Sequence, residues 1–220
     1  MDNHLAPLPT IETRSRTLLE SGLATLGITT DHAQQEQLLR FAATLEQWNR
    51  AFNLTAVQGV HNMVVRHLLD SLAILPFLHG TRIIDVGTGA GLPGIPLSIV
   101  AVNKQFFLLD SNQKKQIFVS HAAKFLGLKN VECVHSTAQT YQPAQKFSTI
   151  LSRAFAPLDR LIPQTAHLLA ENGRFLAMMG KMQEPLLLPT GYALEQKVIL
   201  AVPGEKAERH LAIITKETIS

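Results

Sequence analysis

The chain has 220 residues, 46% of them hydrophobic and 17% charged, the balance of an ordinary globular protein that can bury one good-sized core. No apolar run approaches the roughly 20 residues that span a bilayer and no secretory leader is evident, so a soluble cytosolic protein without a membrane partner is expected. A net charge of +3 leans towards a polyanionic partner without identifying one, and the single Cys133 forms neither an internal disulfide nor a zinc site.

Residues 1–10 carry prolines and histidines without periodicity and are expected to be a mobile tail. From Ile11 to Leu78 apolar positions recur at helical spacing, first Leu38, Phe41, Ala42, Leu45 and Trp48, then Val60, Val64, His67, Leu68, Ser71 and Leu75. Gly22, Gly27, the run Thr29-Thr30-Asp31 and Asn53 are expected to punctuate these helices. From Thr81 the period changes. Strands at 82–86, 105–110, 130–134, 147–152 and 173–179 and helices at 93–102, 113–126 and 157–170 predict a doubly wound sheet. Runs 192–202 and 210–216, joined by Pro203-Gly204-Glu205-Lys206, read as an antiparallel pair at one edge. The division predicted is a helical extension over 1–80 and a sheet domain over 81–220, with Cys133 in the core of its strand.

The most informative stretch is Ile83-Ile84-Asp85-Val86-Gly87-Thr88-Gly89-Ala90-Gly91-Leu92-Pro93-Gly94, an apolar strand that runs into a glycine-rich turn and a proline-marked helix start. Glycines at alternate positions bring a bound molecule within contact of the main chain, where a Cβ would clash. A dinucleotide fingerprint spaces its glycines G-x-G-x-x-G and rests pyrophosphate on a helix N-terminus. Here the spacing is G-x-G-x-G, and Asp85 stands two residues before the first glycine. Its charge repels pyrophosphate and suits an ammonium group such as the amino acid end of S-adenosylmethionine. The apolar run Phe106-Phe107-Leu108-Leu109 then ends in Asp110, an acid placed to accept the ribose hydroxyls of a nucleoside. The structural alternative is a tight turn with a helix-capping aspartate.

Five segments carry a family resemblance: Asn53-Leu54-Thr55-Ala56-Val57; Arg66-His67-Leu68-Leu69-Asp70-Ser71; the glycine run continued through Leu92-Pro93-Gly94-Ile95-Pro96; Leu109-Asp110-Ser111; and Ser152-Arg153-Ala154-Phe155. Together they resemble the RsmG (GidB) family, which methylates N7 of a guanine in bacterial 16S rRNA. The resemblance implies a class I S-adenosylmethionine-dependent methyltransferase, with a Rossmann-like seven-stranded sheet and a helical N-terminal extension. It also implies S-adenosylmethionine as methyl donor with no metal, 16S rRNA as partner within the small ribosomal subunit or an assembly intermediate, a cytoplasmic location and a monomer. Carried over by position, the donor contacts fall on Gly87, Leu92, Ala138, Gln139 and Arg153; the residues read above add Asp85, Gly89, Gly91 and Asp110. Three positions depart from the family pattern: Thr137 stands for its arginine, Gln139 for its glutamate, and Met179, with Lys181 two residues on, for a lysine.

Guanine N7 carries an in-plane lone pair and no proton, so transfer to it needs no base. No residue is assigned as catalytic; candidates for shaping the target pocket are Asn53, Arg66, His67, Asp70 and Arg153. His67 and Asp70 are three apart, a spacing that puts Asp70 in reach of the imidazole as its orienting partner. Arg153 suits a donor carboxylate or an RNA phosphate. Arg14, Arg16, Arg40, Arg50, Arg66, Lys114, Lys115, Lys124, Lys129, Lys206 and Arg209 are candidate phosphate contacts. Two other readings remain open: a methyltransferase with a small-molecule acceptor, and a nucleoside-binding regulator without catalysis.

Overall fold

A computed structural model describes residues 8–153, 157–181 and 185–217. Most of the expected N-terminal tail, residues 1–7, lies outside the described residues. Helix α1 (Thr13–Thr25) leads into α2 (His32–Phe52), whose start is fixed by a capping box: Asp31 Oδ1 accepts from the Gln34 N–H at 2.7 Å and Gln34 Oε1 accepts from the Asp31 N–H at 3.1 Å. Asn53 ends α2 in the left-handed region, with φ 50°. The next helical segment changes its pitch. Helix α3 (Val60–Met63) widens into a π-helical stretch over Val64–Leu69 before closing as α4 (Asp70–Leu72).

Gly22 does not punctuate a helix. It lies inside α1, where a Cβ would stand 2.3 Å from Leu69 Cδ1. The residue is there for helix approach rather than for chain reversal. Leu69 is itself fully buried, so it has little room to yield.

Strands β1 (Arg82–Val86), β2 (Gln105–Asp110), β3 (Val131–His135), β4 (Phe147–Arg153) and β5 (Leu169–Met179) are parallel, and β6 (Tyr192–Ile199) and β7 (His210–Lys216) close one edge. The order is β3-β2-β1-β4-β5-β7-β6, with β7 antiparallel to both β5 and β6. Helices α5 (Gly94–Val100), α6 (Gln113–Phe125) and α7 (Leu158–Thr165) connect the strands. Two expected boundaries move by four residues or more, and the strand expected over 192–202 ends at Ile199. Pro163 sits inside α7, where it removes a backbone donor, and the helix ends at Thr165 instead of continuing to 170. Pairing of Leu169 with Phe147 then starts β5 four residues before the expected 173.

Alternate residues of the central strands enter two separate cores, as a sheet covered on both faces requires. Ile83, Phe106 and Leu108 pack with Leu38, Phe41, Trp48 and Phe118, so the N-terminal helices share a core with α5 and α6. Ile84, Phe107 and Leu109 pack on the other face with Leu158, Leu161 and Ile162 of α7. Cys133 is only half-buried at the margin of the first core, since β3 is an edge strand. No helix among the described residues is long and apolar enough to cross a membrane.

Gly22→Ala tests the close approach. Alanine in a helix gains about 1 kcal/mol over glycine, but overpacking a buried contact costs roughly 1–3 kcal/mol. Urea denaturation is expected to show a net loss of stability; a gain would mean that Leu69 repacks freely.

Candidate active site

Strand β1 turns to β2 and β3 on one side, and β4 and β5 lie on the other, so the topological switch falls between β1 and β4. Ligands of open α/β sheets bind in the crevice beyond the carboxyl ends of the strands at such a point. Two cavities occupy that edge. One, of about 450 Å³, is a cleft bounded by Leu54 and Thr55, the turn Gly87–Ala90 with Leu92, Asp110–Asn112, Lys115 and Arg153. The other, of about 730 Å³, lies over the ends of β4 and β5, among Arg66, His67, Asp70, Met178 and Met179. Arg153, the last residue of β4, is the one described residue that lines both.

The glycine turn is held from beneath by Asp85. Its carboxylate is buried, and Oδ2 accepts from the Thr88 hydroxyl at 2.7 Å and from the Gly94 N–H at 2.9 Å. Oδ1 is buried without a partner. Burial pushes the Asp85 carboxyl up to about 6, against the bonds from Thr88 and Gly94, which favour the charged form. A Cβ on Gly94 would lie 2.2 Å from Leu108 Cδ2 and 2.9 Å from Asp85 Oδ2, so only glycine admits this approach of α5 to the sheet. Asp110 anchors the other side: Oδ2 accepts from the Gly89 N–H at 2.9 Å and Oδ1 from the Asn112 N–H at 2.8 Å. A carboxylate has about four acceptor sites, so Asp110 keeps capacity for ribose hydroxyls at the cleft surface.

Gly89 has φ +59°, and a Cβ there would meet only the Gly87 carbonyl oxygen within 4 Å. It would project into open space at the cleft wall. The cleft therefore fits a ligand pressed against main chain, and the orphaned Asp85 Oδ1 under the turn fits an ammonium-bearing one. Of the expected donor residues, Gly87, Gly89, Leu92, Asp110 and Arg153 line the cleft. Asp85 and Gly91 support the turn without lining it; Ala138 is buried in the second core and Gln139 is exposed in the turn after β3. The sequence reading missed Leu54, Thr55 and Lys115 as cleft walls, although Leu54 and Thr55 stood in one of its quoted motifs.

The residues chosen to shape the target pocket separate. Asn53 is exposed and serves as the left-handed end of α2; among the described residues it lines neither cavity. His67 is oriented by other groups than Asp70. Its Nε2 meets Thr55 Oγ1 at 2.8 Å and its Nδ1 meets the Arg66 carbonyl oxygen at 2.8 Å. The π-helical stretch explains the miss: its turn holds more than 3.6 residues, so a three-residue step no longer closes on one face. Burial, then the nearby Arg153 guanidinium, lowers His67 to about 4, so the ring is neutral near pH 7.

Asp70 turns instead to arginines. Oδ2 accepts from Arg153 Nη1 at 3.3 Å and Oδ1 from Arg209 Nε at 3.0 Å. Arg209 is 139 residues from Asp70, and no local pattern announces it. Arg66 pairs with Glu205 at 3.5 Å. Met179 and Lys181 both line the larger cavity, the two positions that the family comparison of motifs had set against each other.

The two shifted groups act oppositely on stability. Asp85 binds a proton more readily folded than unfolded, so its contribution is full below about 3.8 and is lost as pH rises through about 6. His67 binds one less readily, so its contribution is full above about 6.5 and is lost as pH falls through about 4. Each spans on the order of 3 kcal/mol and the two offset one another. Relative to the parent chain, Asp85→Asn is expected to make stability rise more steeply between pH 4 and 6, and His67→Gln to make it fall; urea titrations across that window check both signs.

The model of the family described as rRNA small subunit methyltransferase G (GidB) matches residues 34–212. The ribosomal RNA small subunit methyltransferase G of Marinobacter nauticus is 48% identical over 200 residues, covering 90% of this chain and 94% of that protein. The protein of the same name from Shewanella amazonensis is 46% identical over 200 residues, covering 90% and 97%. Among solved structures, the ribosomal protein L11 methylase of Lactobacillus delbrueckii subsp. bulgaricus superposes with TM-score 0.53 at 20% identity, covering 68% of this chain and 77% of that one. A SAM-dependent methyltransferase from Aquifex aeolicus gives TM-score 0.52 at 18% identity, covering 67% and 90%. At such identity these two carry the fold alone, a class I S-adenosylmethionine-dependent methyltransferase sheet. The match over most of the chain, together with relatives near half-identical along nearly their whole length, places this chain in the rRNA small subunit methyltransferase G family.

Proposed function

We propose that this chain transfers a methyl group from S-adenosylmethionine to N7 of a guanine in 16S rRNA, presented in the small ribosomal subunit or an assembly intermediate. The observation that carries this reading is the pair of cavities meeting at Arg153, in a chain of the rRNA small subunit methyltransferase G family. The smaller cleft takes the donor and the larger cavity the target nucleotide. We assign the protein to the cytoplasm and treat it as a monomer.

When bound, the donor supplies an electrophilic methyl group on a sulfonium. The chain's own residues hold it and hold the base. Asp110 accepts the ribose hydroxyls, Gly87 and Gly89 let the ligand reach the main chain, and Asp85, buried beneath the turn, places its negative charge on the side of the ammonium. Ala138 and Gln139 serve the adenine end, since β3 ends beside β2 with His135 in register with Asp110. Guanine N7 needs no deprotonation, and orientation of two reactants can supply roughly 7–11 kcal/mol of barrier lowering. The N7 lone pair is itself the nucleophile, so none is required from the protein.

The acceptor cavity combines apolar walls from Leu158, Leu161 and Met178 with cations at Arg66, Arg153, Lys181 and Arg209. Apolar walls suit the faces of a base, and the cations suit its phosphates. We take residues 1–80 as part of this recognition surface rather than a separate module: Leu54 and Thr55 wall the donor cleft, and Val57, Arg66, His67 and Asp70 wall the acceptor cavity. Lys181 stands in for the family lysine at Met179.

Asp110→Ala is expected to weaken donor binding by at least about tenfold, the loss of charge-assisted hydrogen bonds, with the fold retained; unchanged affinity by calorimetry would remove its ribose role. The reading as a whole is tested by incorporation of labelled methyl from S-adenosylmethionine into 16S rRNA lacking the modification, as 30S subunits and as naked RNA, with chemical cleavage at 7-methylguanine. Label at one guanine of the decoding region is expected. Donor binding without transfer to either form would point to another acceptor or to a non-catalytic protein.

A further inference from the structure

Asp70 lies between two guanidiniums, and the two contacts are unequal. Its carboxylate is 5% exposed. Arg209 reaches Oδ1 through Nε at 3.0 Å, whereas Arg153 reaches Oδ2 through one Nη at 3.3 Å, at the long end for an N–H···O bond. An arginine facing a carboxylate alone closes two parallel bonds. Arg153 does not. Arg209 already holds the second oxygen, its like charge opposes a second guanidinium there, and most donors of Arg153 have no partner among the described residues at the wall between the donor cleft and the acceptor cavity.

Arg209 is in turn fastened on its outer side. Nη2 donates to Glu205 Oε2 at 3.0 Å and Nη1 to the Glu208 carbonyl oxygen at 3.1 Å. Glu205 accepts from the backbone N–H groups of Lys206 and Ala207 at 2.9 and 3.0 Å and pairs with Arg66. The bond from Ala207, opposed by desolvation and aided by Arg209, holds the Glu205 carboxyl below the usual range, so it stays charged. The turn between β6 and β7 thus presents one guanidinium to Asp70 from a fixed direction.

Resting on the reading of Arg153 as a donor contact, we propose that Arg209 is a positioning residue for methyl transfer: by occupying one oxygen of Asp70 it keeps Arg153 out of a two-pronged ion pair and leaves that guanidinium facing the donor. Without Arg209, Asp70 has a buried oxygen with no partner, an expensive state. Among the described residues Arg153 is the other cation bonded to Asp70, and swinging onto both oxygens satisfies the carboxylate. That swing draws Arg153 towards α4 and away from the glycine turn. The loss of donor binding therefore comes from the charge on Asp70, not from the missing arginine itself.

Rescue by a second substitution separates this role from ordinary packing loss. By calorimetry with S-adenosylmethionine on the full chain, Arg209→Ala is expected to weaken binding about tenfold, the scale of one charge-assisted bond. The double variant Arg209→Ala/Asp70→Asn is expected to return to within about threefold of the parent, because a neutral amide no longer draws Arg153. Thermal unfolding of each variant accompanies the titrations, and Arg209→Gln replaces Arg209→Ala if the latter does not fold. Unchanged affinity in the single variant, or a double variant no tighter than the single, overturns the proposal. Arg153→Ala in the parent separates the two readings: loss of donor affinity there sustains the donor role of Arg153 whatever Arg209 does, and no loss removes that role and this inference with it.

Discussion

The buried carboxylate of Asp85 is the constraint on which the active edge depends. One oxygen holds both ends of the glycine turn, the Thr88 hydroxyl on the way in and the Gly94 N–H at the helix start. A charge in that position is costly to bury, and its elevated pKa records the cost. The opposing bonds keep the turn in a single shape above a buried Oδ1 that has no partner among the described residues. The missing Cβ of Gly94 lets α5 come close enough for those bonds to form.

From that turn the remaining geometry follows through Asp110, whose two oxygens tie Gly89 and Asn112 together and so connect the start of α6 to the turn after β1. Asn112 then caps α6 by accepting from the Lys115 N–H at 3.2 Å. The turn after β1 and the β2–α6 junction, 21 residues apart in sequence, are thereby locked around one cleft. The larger cavity is assembled differently, by ion pairs that link α3–α4 and the β6–β7 turn to the end of β4. A rigid donor site of main chain and carboxylates stands beside an acceptor site of arginines, and Arg153 belongs to both.

The helical extension is legible in the sequence as helices, but its function depends on where it packs. Leu38, Phe41 and Trp48 enter the same core as Ile83 and Leu108, with α2 packed on α5 and α6, and this carries Leu54 and Thr55 to the cleft mouth. Thr55 then sets the ring of His67. In a helix of regular pitch a three-residue step brings His67 and Asp70 within reach; across the widened turn over Val64–Leu69 Asp70 meets Arg153 and Arg209 instead.

The sequence by itself determined the alternation of strands and helices, the antiparallel closing pair, the glycine turn and the acids that flank it. Each of these is written in local periods, in caps such as Asp31 and in contiguous residues from Asp85 to Pro96, where the physics acts over a few positions. Only the tertiary structure decided which charged residues meet. Helical spacing gave His67 to Asp70, whereas the fold gave Asp70 to Arg209 across 139 residues. It also placed Gly22 against Leu69 as a packing contact rather than a chain break. Long-range pairing depends on the sheet order and on a change of helical pitch, and neither leaves a periodic trace in the chain.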